Sequence, residues 1–218
     1  MKNLNKTKIN LSKLINLSSI DSILKDDPEL KAKIHRASDR GKSSADFNNS
    51  DINKLKSTNT KIDFDLYRGV YPAEISKYNL KNIKVGSSFN FDGYGGEITS
   101  FSSRVNTAIM FAAGQETSRS KIILKSTKSD NVCPYVDLLD YCLQHPVIEM
   151  FEKTNNPEND LIWAKSHYST KKGREFTLSE QEYFVWNRSK FTVTEIYEKS
   201  FSKFPSAGKL LIIEGYID

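Results

Sequence analysis

An α+β fold, with helices ahead of a strand-rich body, is what this sequence predicts, and three features predict it. Residues 1–60 are polar and place apolar side chains at helical spacing in places. From residue 62 the chain changes to short apolar or alternating runs separated by turn residues. The last such run, 210–216, closes the chain as a strand, so the strands follow the helices.

The elements follow in order. Leu11, Leu14, Ile15 and Ile20 form a loose apolar face. Asp27-Pro28-Glu29 is a helix start, with proline near the first helical position. Leu30, Ile34 and Ala37 then recur at helical spacing over 29–37. The Ser-, Asp-, Gly-, Asn- and Lys-rich stretch 38–60 reads as loop or short helix. Residues 1–60 are thus an N-terminal helical and polar segment, and 61–218 form the body. In the first strand of that body Phe64, Leu66 and Arg68 share one face, and Asp65, Tyr67 and Gly69 the other. A short strand at 85–89, a turn at 92–96 and a second strand at 98–103 come next. Residues 107–113 form a short apolar helix with Ala108, Phe111 and Ala112 turned inward. Residues 121–125 are a buried strand. The stretch 133–175 is mixed, with Pro134, Pro146 and Pro157 breaking any long element. Strands at 183–186, 191–197 and 210–216 finish the chain.

A length of 218 residues suits one domain or a domain with an appendage, and allows a substantial core. The hydrophobic share is 38 % and the charged share 27 %, ordinary for a globular protein. No apolar run approaches the ~20 residues of a membrane-spanning helix. The first 20 residues lack the unbroken apolar stretch and cleavage site of a signal peptide. The expected location is therefore a cytoplasm, the cell's own or a host's, with no membrane partner. Cys133 and Cys142 are the only cysteines and suggest small buried hydrophobes rather than a disulfide framework. The net charge of +5 permits contact with nucleic acid without arguing for it, and the phosphates of a nucleotide would profit equally.

Three short pieces carry the chemistry. Leu66-Tyr67-Arg68-Gly69-Val70 puts an arginine on a strand. Its guanidinium fork fits phosphate oxygens and keeps its charge, and Gly69 permits close approach of a ligand to the backbone. The plain alternative is a strand-end arginine in a salt bridge. Ser100-Phe101-Ser102 places two hydroxyls on one side of a strand, where they need a partner if covered. A ribose or an amide would serve, and the alternative is a solvent-facing strand. Glu180-Gln181-Glu182 is the sharpest signal. In an extended segment both carboxylates face one way, with Cα atoms roughly 6–7 Å apart. Like charges so close repel and raise one pKa. The alternative is the solvated acidic face of an edge strand.

In that order the three pieces resemble the Arg, Ser-x-Ser and Glu-x-Glu signature of arginine-specific mono-ADP-ribosyltransferases. The alanine- and phenylalanine-containing helix after Ser102 is also typical of that family. The similarity is greatest to the small phage-encoded enzymes of the Mod and Alt type. It covers about residues 65–185 and the closing strands, and nothing specific in 1–60. Phe101 stands where threonine is common in the wider superfamily.

The resemblance implies the ADP-ribosyltransferase fold, two small and roughly perpendicular β-sheets around an NAD cleft. It implies NAD+ as substrate, no metal, and transfer of ADP-ribose to an arginine of a target protein of host transcription or translation. Loss of nicotinamide leaves a ribosyl oxocarbenium ion, as in glycoside hydrolysis. Glu182 would stabilise that ion and hold a ribose hydroxyl. Glu180 would orient and deprotonate the incoming guanidinium, which is fully protonated and has no acceptor pair of its own. Superfamily members lacking the first Glu generally do not modify arginine. Arg68 would clamp a phosphate, Ser100 would brace the nicotinamide pocket and Glu182, and Ser102 would support strand and ligand. Tyr67 and Gly69 would line the same cleft.

Other signals fail. The glycines at 93–96 lack the Lys-Ser or Lys-Thr of a phosphate loop. Cys133, Cys142, His145 and His167 do not have zinc-site spacing. Two rival functions remain: an NAD glycohydrolase using water, and a basic module that binds nucleic acid or protein without turnover.

Overall fold

The computed structural model describes residues 19–37, 47–92, 97–113, 120–145 and 178–218. Its strands are β1 (Thr60–Ile62), β2 (Leu66–Gly69), β3 (Ser88–Asn90), β4 (Ile98–Ser102), β5 (Ile122–Val132), β6 (Glu182–Trp186), β7 (Lys190–Ser200) and β8 (Lys209–Ile217). Its helices are α1 (Pro28–Ala37), α2 (Asn49–Lys56), α3 (Pro72–Lys77), α4 (Val105–Ala113) and α5 (Tyr135–Gln144). The α+β class is as expected. The apolar residues Leu11, Leu14 and Ile15, the turn at 93–96, Pro146, Pro157 and His167 lie outside the described residues.

The strands hydrogen-bond in the order β3-β7-β8-β5-β2-β4-β6, with β1 on β5. All pairs are antiparallel except β5 with β8. One joint in this path is narrow. β2 meets β4 at a single register pair, Tyr67 with Ser102, whereas β2 and β5 share four pairs and β4 and β6 share five. The expected two sheets are thus two runs of strands, β3-β7-β8-β5-β2 and β4-β6, linked through that one point into a continuous ladder.

Three apolar clusters hold the layers together. Leu66, Val70, Phe91, Phe101, Val185, Phe191 and Ile213 pack between the two runs of strands. Ala108, Ile109 and Ala112 of α4 pack on Ile123, Leu210 and Ile212. Leu24, Leu30, Ile34, Ile52 and Leu55 join Tyr135, Leu138, Leu139, Phe184 and Trp186 in the third. The Tyr135 hydroxyl donates to the Ile34 carbonyl, and Trp186 Nε1 donates to Asn59 Oδ1 at 2.8 Å. Described helical residues before position 60 thus pack on β6 and α5. The N-terminal helices brace β6.

Gly69 answers to α4. A Cβ there would stand 2.3 Å from the Ala108 carbonyl oxygen and 2.7 Å from the Ala112 nitrogen. A helix, not a ligand, uses the missing side chain. Gly69→Ala is expected to cost about 1–3 kcal/mol through displacement of α4, read as a lower midpoint in denaturant.

Three elements depart from the sequence reading. Pro134 does not break a helix but precedes one, α5, as its N-cap residue. Proline is tolerated at a helix start because the missing N–H has no intrahelical partner there. α3 carries its proline one position later, Pro72 being the first helical residue after the N-cap Tyr71. β5 runs to Val132 rather than stopping near 125, because a register shift between Ser126 and Ser129 lets it continue. The two buried hydroxyls at that shift bond each other at 2.9 Å.

Candidate active site

Beyond the Tyr67–Ser102 pair β2 and β4 separate, and Arg68 is the next residue on β2. Its guanidinium bridges the opening. Nη1 donates to the Ser100 carbonyl of β4 at 2.8 Å. Nε and Nη2 donate to Glu74 Oε1 at 3.3 and 2.8 Å. The Arg68 side chain is 11 % exposed and that of Glu74 is 2 % exposed, so this is a buried ion pair. The arginine does form a salt bridge, and it stands beside the other residues of the sequence signature as well.

Glu182 opens β6 opposite Ser102. The Ser100 side chain is within hydrogen-bonding reach of its carboxylate and favours its ionised form. Burial first, then the neighbouring charge of Glu180, push its pKa up from 4.5 to about 7, against the opposing pull of Ser100 and Arg68. Arg68, Ser100 and Glu182, 114 positions apart at their extremes (182 − 68), are thus brought into one site.

The acid pair differs from its expected form. Glu180 and Glu182 are not successive same-side residues of one strand. Residues 178–180 make a helical turn, Gln181 takes a left-handed backbone with φ 45°, and only then does β6 begin. The turn is held by bonds from the last residue of β4 and the residue after it. Ser102 Oγ donates to the Glu180 carbonyl and Ser103 Oγ donates to Gln181 Oε1, both at 2.5 Å. The Ser103 N–H donates to the Gln181 carbonyl at 3.2 Å. Ser102 is itself buried, and its Oγ accepts from the Arg104 N–H at 2.9 Å. Its hydroxyl is committed to holding the turn that carries Glu180.

Tyr67 and Gly69 do not join Arg68. They occupy the alternate positions on β2, beside α4. The Tyr67 hydroxyl donates to Asp65 at 3.0 Å, and burial with that bond lifts its pKa to about 12. Both therefore face α4 rather than the side of β2 that carries the Arg68 guanidinium.

Two residues not singled out in the sequence belong to the site. Glu74 is the partner of Arg68. The Tyr71 ring lies 5.7 Å from the Arg68 guanidinium carbon and meets Phe111 edge-on at 6.2 Å. Burial raises the Tyr71 pKa, and the charges of Glu74, Glu180 and Glu182 add to the rise while Arg68 opposes it. Tyr71-Pro72-Ala73-Glu74 is a helix start with an acid at the third helical position, a pattern legible in the sequence.

The Glu182 carboxyl ties the stability of the fold to pH. A carboxyl with a folded pKa of about 7 and an ordinary value of 4.5 binds its proton more tightly in the folded state. Its contribution to stability is present below the ordinary value and is lost as pH rises through about 7. Denaturation midpoints measured from pH 5 to 8 should therefore fall less steeply with pH in Glu182→Gln than in the parent chain.

The buried Cys133 and Cys142 are free thiols, with burial raising both pKa values to about 12. Among the described residues no group of three or more His, Cys, Asp and Glu side chains is placed to hold a metal ion. No helix of the described residues is long and apolar enough to cross a membrane.

No family model and no curated protein matches the sequence. Among solved structures the chain is similar to the ADP-ribosylating toxin BECa of a Clostridium perfringens binary enterotoxin, with NADH, at 14 % identity and a TM-score of 0.46. That match covers 100 % of this chain and 50 % of the toxin, so the chain spans half the toxin's length. It is similar to Plx2a, an ADP-ribosyltransferase toxin from Paenibacillus larvae, at 11 % identity and 0.43, covering 94 % and 86 %. It is similar to C3stau2 from S. aureus, with NAD, at 13 % identity and 0.40, covering 95 % and 87 %. Likenesses at these levels assign no activity to this chain.

Proposed function

We propose that the protein is an NAD+–protein-arginine mono-ADP-ribosyltransferase. The observation that supports this best is the meeting of Arg68, the Ser100 hydroxyl and Glu182 where β2 and β4 part, with the charge of Glu180 acting on Glu182. The resemblance of the same residues to the Arg, Ser-x-Ser and Glu-x-Glu signature points the same way.

NAD+ binds as substrate. The bond between the ribose C1′ and the nicotinamide nitrogen breaks, and its electron pair leaves with nicotinamide, which becomes neutral. Positive charge develops on the ribose. Glu182 in its ionised form stabilises that charge beside it, a gain made mainly in the transition state. The incoming arginine of the target gives up a proton to Glu180 and its nitrogen bonds to C1′. Arg68 takes a phosphate of the dinucleotide with the donors its protein partners leave, since the three bonds to Glu74 and Ser100 use three of its five N–H groups. Ser100 holds the Glu182 carboxylate. Ser102 holds the Glu180 turn. By the resemblance, the target is a host protein of transcription or translation and the site of action is a host cytoplasm.

The direct test is release of nicotinamide from NAD+ with and without an arginine analogue such as agmatine, followed by mass spectrometry of modified arginines after incubation with cell lysate. ADP-ribosyl-agmatine is the expected product. Free ADP-ribose in equal amount with or without the acceptor would indicate the glycohydrolase instead. No turnover, with binding to nucleic acid that weakens steeply in salt, would indicate a binding module.

A further inference from the structure

We infer that Glu74 is a positioning residue for this site, acting through Arg68 and Tyr71, an inference that rests on the reading of the site as an NAD site. Each oxygen of its buried carboxylate has a separate task. Oε1 accepts from Nε and Nη2 of Arg68 at 3.3 and 2.8 Å. Oε2 accepts from the Tyr71 backbone N–H at 2.8 Å. The first contact, with the Ser100 carbonyl on Nη1, fixes the tilt and roll of the guanidinium plane. The second fixes the chain between β2 and α3, and so the height of the Tyr71 ring beside that guanidinium. A cation and the ring beside it, 45 % exposed, therefore hang from one carboxylate.

No other side-chain chemistry of that shape satisfies both partners. Arg68 and the Tyr71 N–H are both donors. A carboxylate offers two acceptors, whereas an amide offers one acceptor and an NH2 that opposes the second donor. Glu74→Gln thus breaks one hold whichever way it turns. Glu74→Asp keeps charge and both oxygens but is one methylene short of spanning the two partners.

The sign of the effect separates positioning from simple charge. Removing a negative charge beside Arg68 should, by charge alone, tighten binding of an anionic dinucleotide. If Glu74 positions the guanidinium, binding weakens instead. NAD+ affinity by titration calorimetry and steady-state cleavage are measured on the parent chain, Glu74→Gln and Glu74→Asp. The expected result is a Kd and KM for NAD+ raised at least about fivefold in both variants, with kcat within about threefold, because the group acts on binding orientation rather than on the reacting bond. A variant that binds NAD+ as tightly as the parent, or more tightly, overturns the inference and leaves the proposed function standing. A kcat loss with KM unchanged overturns it equally. A parent chain that does not bind NAD+ overturns the proposed function and this inference with it. Should Glu74→Gln fail to fold, Glu74→Asp decides on the same criteria.

Discussion

Glu182→Gln is expected to lower NAD+ cleavage by at least about 10²-fold, the scale on which single preorganised electrostatic groups act in transition states. The substitution keeps size and removes only charge. The Ser100 hydroxyl, within reach of the carboxylate, can still find the amide oxygen, so the site should hold its shape. Both outcomes of the reaction, hydrolysis and transfer, should fall together, because both pass through the same ribosyl cation. Glu182→Ala should behave alike. The pH profile offers an independent check. The proposed mechanism uses the ionised form, and the pKa is raised to about 7, so kcat should climb as pH rises through that value. That rise runs opposite to the fall in stability over the same window. A Glu182→Gln chain that cleaves NAD+ at the parent rate would remove the role assigned to this residue.

Glu180→Ala is expected to divide the two outcomes. Free NAD+ hydrolysis should persist, while transfer to arginine should drop by about 10²–10⁴-fold, the contribution of a positioned general base. Water needs no deprotonation by Glu180 to trap the cation, but a guanidinium does need it to become a nucleophile. A side effect is also expected at Glu182. With the neighbouring charge gone, one cause of its raised pKa disappears, and the pH midpoint of residual hydrolysis should move down. Agmatine modification at full rate in Glu180→Ala would show that another group takes the proton.

Much of this candidate site is legible in the sequence because its residue types are chemically unusual in their places. Arg68 on a strand, paired hydroxyls in β4 and neighbouring acids before an apolar strand all stand out against ordinary patterning. Glu74 did not stand out. An acid at the third position of a helix after proline is satisfied by its own backbone, and nothing local shows that its second oxygen faces an arginine. Tyr67 and Gly69 present the opposite case. They adjoin Arg68 in sequence, but strand alternation turns them to α4. Tyr135, Leu138, Leu139 and Cys142 recur at helical spacing within the stretch expected to be mixed, and Pro134, expected to break an element there, stands at the start of α5.

What the sequence determined by itself was the kind of fold and the inventory of reactive groups, since periodicity and residue chemistry are local properties. What only tertiary structure decided was how those groups meet. A one-pair joint between β2 and β4 leaves a split that the Arg68 guanidinium crosses. Bonds from Ser102 and Ser103 hold the chain at Glu180 and Gln181, where the left-handed Gln181 interrupts the extended run between the two acids. Both depend on contacts between residues more than 30 positions apart along the chain, and no local pattern encodes such a distance.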